Sequence, residues 1–85
     1  MVTEDEFRNP MDALVIASVR RLVGDATVGI DDDFFAIGGN SIVAMRLGQI
    51  LSEKLGIARP ARVIFRNPVL GDLSDALSEL TGRPT

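Results

Sequence analysis

Cysteine and histidine are both absent from this 85-residue chain. Their absence removes the thiolate nucleophile, the commonest general base and the two commonest side-chain ligands of transition metals. No disulfide and no structural zinc can brace the fold, so a domain this small must rest on helix packing. Neither self-contained catalysis, with catalytic residues of its own, nor a bound metal is expected. Long apolar runs are missing too: stretches such as Ala13 to Ala17 fall far short of a membrane span, and Thr3-Glu4-Asp5-Glu6 is acidic where a secretory leader would be basic. The reading is a cytoplasmic protein with no membrane partner.

Excess positive charge is lacking as well. Twelve acids against nine bases leave a net charge of −3, the wrong sign for a surface built to hold a phosphate backbone. With no short helix-turn-helix pattern either, nucleic acid is not expected as a partner. The charge is uneven: residues 1–33 hold eight acids and three bases (8 − 3, net −5), and residues 34–85 hold four acids and six bases (6 − 4, net +2). What remains is an average globular composition, 46% apolar and 25% charged, in one small domain.

Four helical segments can be read along the chain. Asn9-Pro10 is a start signal, since Asn can cap the first free amides and Pro has no amide to leave unpaired. Met11, Leu14, Val15, Val19, Leu22 and Val23 then recur at three- and four-residue steps up to Gly24, predicting helix one over 10–23. Ile42, Val43, Met45, Leu47, Ile50, Leu51 and Leu55 predict helix two over 41–55, stopped by Gly56. Pro60 opens a third helix of one or two turns over Ala61 to Phe65, which Pro68 must end. Asn67-Pro68 repeats the opening signal, and the stripe from Val69 to Leu80 predicts helix four over 68–81, closed by Gly82. The fold class is all-α: a small four-helix bundle with residues 1–9 and 82–85 as tails.

The connector from Asp25 to Asn40 is too long for an ordinary helix-to-helix link, which takes roughly 2 to 8 residues. It holds Asp31, Asp32 and Asp33, then Phe34, Phe35, Ile37, Gly38 and Gly39. Phe34, Phe35, Ile37 and Phe65 are assigned to the core and to anchoring this loop, one Phe covering the bundle and the other lying under the loop. The three aspartates are expected to stay solvated. Ser41 follows in the first turn of helix two, where free amides and the positive end of the helix dipole would favour a phosphate esterified to its hydroxyl. Ser18 and Ser52 fall inside helices, Ser74 and Ser78 lie along helix four, and none follows an open glycine turn.

The order of these features, from an acidic Phe-Phe loop through Gly-Gly-Asn-Ser to a Leu-rich last helix, resembles the peptidyl carrier (thiolation) domains of nonribosomal peptide synthesis, in the acyl carrier superfamily. Their signature, Asp then Phe-Phe-x-Leu-Gly-Gly-x-Ser-Leu, is met by Asp33 through Ile42, with Ile37 and Ile42 in place of the two leucines. The resemblance runs from about residue 10 to residue 80. It implies that a phosphopantetheinyl transferase moves 4'-phosphopantetheine from coenzyme A onto Ser41, with Gly39 and Asn40 beside the attachment point. The arm then carries an aminoacyl or acyl group as a thioester from an adenylation enzyme to condensation or tailoring enzymes, in antibiotic or other secondary-metabolite biosynthesis. The carrier itself is not an enzyme.

Ile42, Met45, Arg62, Val63 and Arg66 are the candidate partner surface, with core packing or a solvated face as the competing reading of each. Helix two carries Arg46, Glu53 and Lys54, net +1, and residues 46–66 carry five bases against one acid (5 − 1, net +4). This differs from fatty-acid carriers, which resemble one another in presenting an acidic helix two. A polyketide or fatty-acid type of acyl carrier and a non-covalent helical adaptor are the alternatives. Partner visits must be weak enough to end, so a monomer with small transient interfaces is expected. The chain's limits, Met1 and Thr85, fit a free-standing carrier, although an excised domain would look the same.

Overall fold

Asn9, in extended conformation, accepts the amide of Asp12 on its side-chain oxygen at 2.9 Å, and Pro10 follows at the first helical position. In the computed structural model, which describes residues 7–82, this cap opens α1 (Pro10–Val23), which ends at Gly24 in the left-handed conformation. The second helix, α2 (Ser41–Leu55), is built the same way, with Asn40 as its cap and Gly56 as its left-handed stop. Both helices have the limits expected from the sequence, because both ends of each are set by residues within a few positions of the boundary. The short α3 (Pro60–Arg66) and α4 (Leu70–Thr81) complete the bundle. No described helix is long and apolar enough to cross a membrane.

The helices form a closed ring of neighbours: α1 packs on α4 and α2, and α3 bridges α2 and α4. Val15, Ile16 and Val19 from α1, Ala44, Leu47 and Leu51 from α2, Ile64 from α3, and Leu70, Leu73 and Leu77 from α4 are fully buried between them. Val28 and Phe34 join this core from the long connector.

Helix four begins two residues later than its sequence signal suggests. Asn67 is spent on α3, donating its side-chain amide to the Val63 carbonyl at 3.0 Å, and it caps nothing in α4. Residues 68–71 pair with the long connector instead. Phe34 donates its amide to Pro68 O at 2.7 Å, Leu70 donates to Asp32 O at 3.0 Å and Gly71 donates to Ile30 O at 2.8 Å. An antiparallel bridge joins Asp33 and Val69. The connector is thus tied by backbone hydrogen bonds to the start of α4, which satisfies groups that a helix start would leave open.

The aspartates of this connector are not simply solvated. Asp32 accepts the amide of Gly29 at 2.7 Å, and Asp33 accepts those of Phe35 at 2.9 Å and Ala36 at 3.2 Å. Each closes a local turn through its own carboxylate; of the three consecutive aspartates only Asp31 is exposed.

Residues 7–9, read from sequence as tail, are also engaged. Arg8 donates to the Asp12 carboxylate through Nε at 2.9 Å and Nη2 at 3.1 Å, and reaches across to Asp75 Oδ1 at 3.0 Å and Gly71 O at 3.1 Å. Asp12 itself has no exposed surface. Burial pushes its carboxyl toward the neutral form, but the Arg8 side chain, the nearby Ser74 hydroxyl and the Arg8 amide together outweigh this and hold its pKa below the ordinary value. The remainder of the expected tails, residues 1–6 and 83–85, lies outside the described residues.

Candidate functional site

Ser41 is the first residue of α2 and is exposed. Asn40 accepts the Val43 amide on its side chain at 3.0 Å and the Ala44 amide on its carbonyl at 2.8 Å. The amides of Ser41 and Ile42 have no hydrogen-bond partner among the described residues. They leave two donors and the positive end of a 15-residue helix beside the Ser41 hydroxyl.

The approach to that helix is set by two glycines with different duties. Gly38 has φ +106, a region that residues with a Cβ rarely enter. Gly39 donates its amide to Phe34 O at 2.9 Å and lies so close to Phe34 that a Cβ would come within 2.6 Å of the ring and closer still to its carbonyl oxygen. The buried Phe34 therefore serves as the bed on which the turn before Ser41 is laid.

The other four serines have other roles. Ser18 donates to the Leu14 carbonyl at 2.7 Å and Ser52 to the Ile57 carbonyl at 3.1 Å. Ser74 and Ser78 are buried in α4. Of the chain's five serines only Ser41 offers an exposed hydroxyl.

Ile42 and Met45 lie on the outer face of α2, 66% and 69% exposed, which removes core packing as their explanation. Arg46 beside them is exposed as well. Val63 is half-buried and packs against the core. Together with the exposed Arg62 and Arg66 it lines a groove formed by the end of α2, α3 and the end of α4. Ser41, Ile42 and Met45 do not line that groove.

Phe35 and Phe65 depart from the core assignment. Phe35 meets the buried Phe34 edge-on at 5.0 Å and stacks on Phe65 of α3 at 5.5 Å with the rings 11° from parallel. They stay 37% and 49% exposed. With Ile42 and Met45 they make up four of the five large exposed apolar side chains of the described residues. Hydrophobicity alone assigns such residues inward, and the pairing of two rings across about thirty positions of sequence leaves no local signal.

An exposed serine on a helix start, with two free amides and apolar residues around it, is suited to accept a phosphate ester and to be handled by other proteins. Residues 13–77 match the family described as "Phosphopantetheine attachment site". The chain is similar to surfactin synthase subunit 3 of Bacillus subtilis (strain 168), at 34% identity over 67 residues that cover 79% of this chain and 5% of that protein. It is also similar to malformin synthetase mlfA of Aspergillus vadensis, at 47% identity over 57 residues, 67% of this chain and 1% of that one. The chain spans no more than 5% of the length of these curated relatives. Among solved structures it resembles one described as a non-ribosomal PCP domain, with TM-score 0.66, 34% identity and 88% of each chain covered. It also resembles a chain in the structure of the phosphopantetheine transferase Sfp in complex with coenzyme A and a peptidyl carrier protein, with TM-score 0.77, 25% identity, and 84% of this chain and 92% of that chain covered.

Proposed function

The chain belongs to the phosphopantetheine-attachment family, among its peptidyl carrier domains, and from this premise we propose that Ser41 is the residue that takes the arm. The observation that carries the assignment is the contrast among the serines: one exposed hydroxyl at a helix start, and four that are buried or hydrogen-bonded to a carbonyl. The arm supplies the thiol on which an acyl group rides as a thioester, which a chain with no cysteine cannot supply itself.

The residues of the chain hold the attachment point. Asn40 caps α2 so that the Ser41 hydroxyl stands clear of the helix, and the free amides of Ser41 and Ile42 face the position of the phosphodiester. Gly39, seated on Phe34, fixes where the connector meets the helix. Ile42 and Met45, with the Phe35–Phe65 stack, supply an apolar surface for successive partners, and an unbranched Met suits a surface that must repack. The partners are a phosphopantetheinyl transferase, an adenylation enzyme and condensation or tailoring enzymes of nonribosomal peptide biosynthesis in the cytoplasm. The carrier domain, residues 10–81, acts as their substrate, as a monomer, and contributes delivery and effective concentration rather than a chemical step.

The test is intact mass after incubation with coenzyme A, magnesium and a broad-specificity phosphopantetheinyl transferase. The parent should gain one phosphopantetheine and Ser41→Ala none. A folded, initially unmodified parent that gains nothing with several transferases would return the chain to the non-covalent adaptor reading.

A further inference from the structure

Arg62 and Arg66, four residues apart, share one side of α3, and Arg59 is the residue that precedes its first turn. All three are exposed, and none of their side chains has a hydrogen bond or ion pair with a described residue, unlike that of Arg8. They line the groove of about 860 Å³ between the end of α2, α3 and the end of α4. Its remaining wall includes Leu55, Ile57 and Leu80, the last 60% exposed. Glu79 is the one acid of the lining, against three arginines (3 − 1, net +2).

We propose that this groove docks an acidic amphipathic peptide segment of a partner protein, with carboxylates set against the arginines and a leucine-sized side chain against Leu55, Ile57 and Leu80. Each guanidinium can take a carboxylate in a two-pronged contact without giving up a bond inside the domain. The concave apolar floor distinguishes the site from a flat cationic patch for a membrane. The net charge of −3 is unfavourable for nucleic acid. Ser41 does not line the groove, so a segment docked in it need not cover the attachment hydroxyl. The inference goes beyond the carrier reading and does not depend on Ser41 being modified.

The test is a titration of the isotope-labelled full chain with a short synthetic helical peptide carrying Glu and Leu on opposite faces, followed by backbone amide NMR. Saturable shifts should be confined to residues 55–66 and 76–82, with affinity falling as salt is added. R62E/R66E should weaken binding by about tenfold or more, and R62Q/R66Q by less. Both pairs change exposed side chains, and a retained amide spectrum establishes that each variant is folded. The proposal is overturned if the all-Gln peptide binds equally well, if the shifts centre on residues 41–46, if phosphatidylserine vesicles perturb the groove while the peptide does not, or if the shifts track self-association of the chain. Failure of the parent to load Ser41 would count against the carrier reading and leave the groove result standing.

Discussion

Phe34 donates its backbone amide to the carbonyl of Pro68 at 2.7 Å, while its side chain is fully buried. One residue thus ties the long connector to the start of α4 and fills the core beneath the attachment turn. Its neighbour Phe35 leans on it edge-on and stays 37% exposed. The two phenylalanines of the motif are therefore unequal, and this inequality can be measured. Phe34→Ala should cost about 3–5 kcal/mol, as expected for an emptied aromatic core site. Phe35→Ala should cost about 1–3 kcal/mol, the scale of two lost ring pairs. Chemical denaturation of both variants checks the ordering, and equal losses would contradict this division of roles.

Gly39→Ala should distort the attachment turn. The new methyl would meet the Phe34 ring at 2.6 Å, and its carbonyl oxygen more closely. Backbone on one side and a buried ring on the other leave no flexible group to yield. Destabilisation of about 1–3 kcal/mol is expected, the usual scale of overpacking, together with slower loading of Ser41 by the transferase. A variant with parent stability and parent loading rate would remove the proposed role of Phe34 as a support.

The limits of α1 and α2 were legible because their determinants are local: Asn9, Pro10 and Gly24 for one, Asn40 and Gly56 for the other. Ser41 was legible for the same reason, as a residue in the first turn after a double glycine. The start of α4 was not, because Pro68 and Leu70 answer to Phe34 and Asp32, more than thirty residues earlier. Asn67-Pro68 carries a valid opening signal, but a long-range pairing competes for the same backbone groups. The Phe35–Phe65 stack and the reach of Arg8 to Asp75 escaped detection in the same way. Each is a contact between positions that periodicity reads separately. The arginines of α3 were visible as charge, but only the packing of α3 against α4 shows that they line a groove of which Ser41 is not part.

The buried hydroxyls of α4 offer a gain in stability. Ser78 Oγ is buried with no hydrogen-bond partner among the described residues, a condition that costs free energy. Ser78→Ala removes the orphan and improves helix propensity, so stabilisation of about 1 kcal/mol is expected, read as a raised denaturation midpoint. Ser74 differs: its hydroxyl, though not aligned in a hydrogen bond, lies near the buried Asp12 and favours its charge. Ser74→Ala should therefore gain less than Ser78→Ala, and the reverse order would contradict this role.

The Arg8–Asp12 pair makes stability depend on acid. Folding lowers the Asp12 pKa from 3.8, so its contribution is fully present above that unfolded value and is lost as pH falls through the lower folded one. Arg8 stays charged throughout, its own pKa raised by the bond to Asp12 against the opposing effect of burial. Arg8→Ala leaves a fully buried carboxylate without its cation; because the Arg8 side chain is 45% exposed, water offsets part of the loss, and about 2 kcal/mol at neutral pH is expected. With the hydrogen bonds and charge of the Arg8 side chain gone, burial is opposed only by the Ser74 hydroxyl and the amide of residue 8, and the Asp12 pKa should rise in the variant. Its deficit relative to the parent should therefore shrink as pH falls from the raised Asp12 pKa of the variant through the lowered one of the parent. Denaturation midpoints of parent and R8A across this range give the comparison, and a deficit independent of pH would show that Arg8 acts through packing rather than through the Asp12 carboxylate.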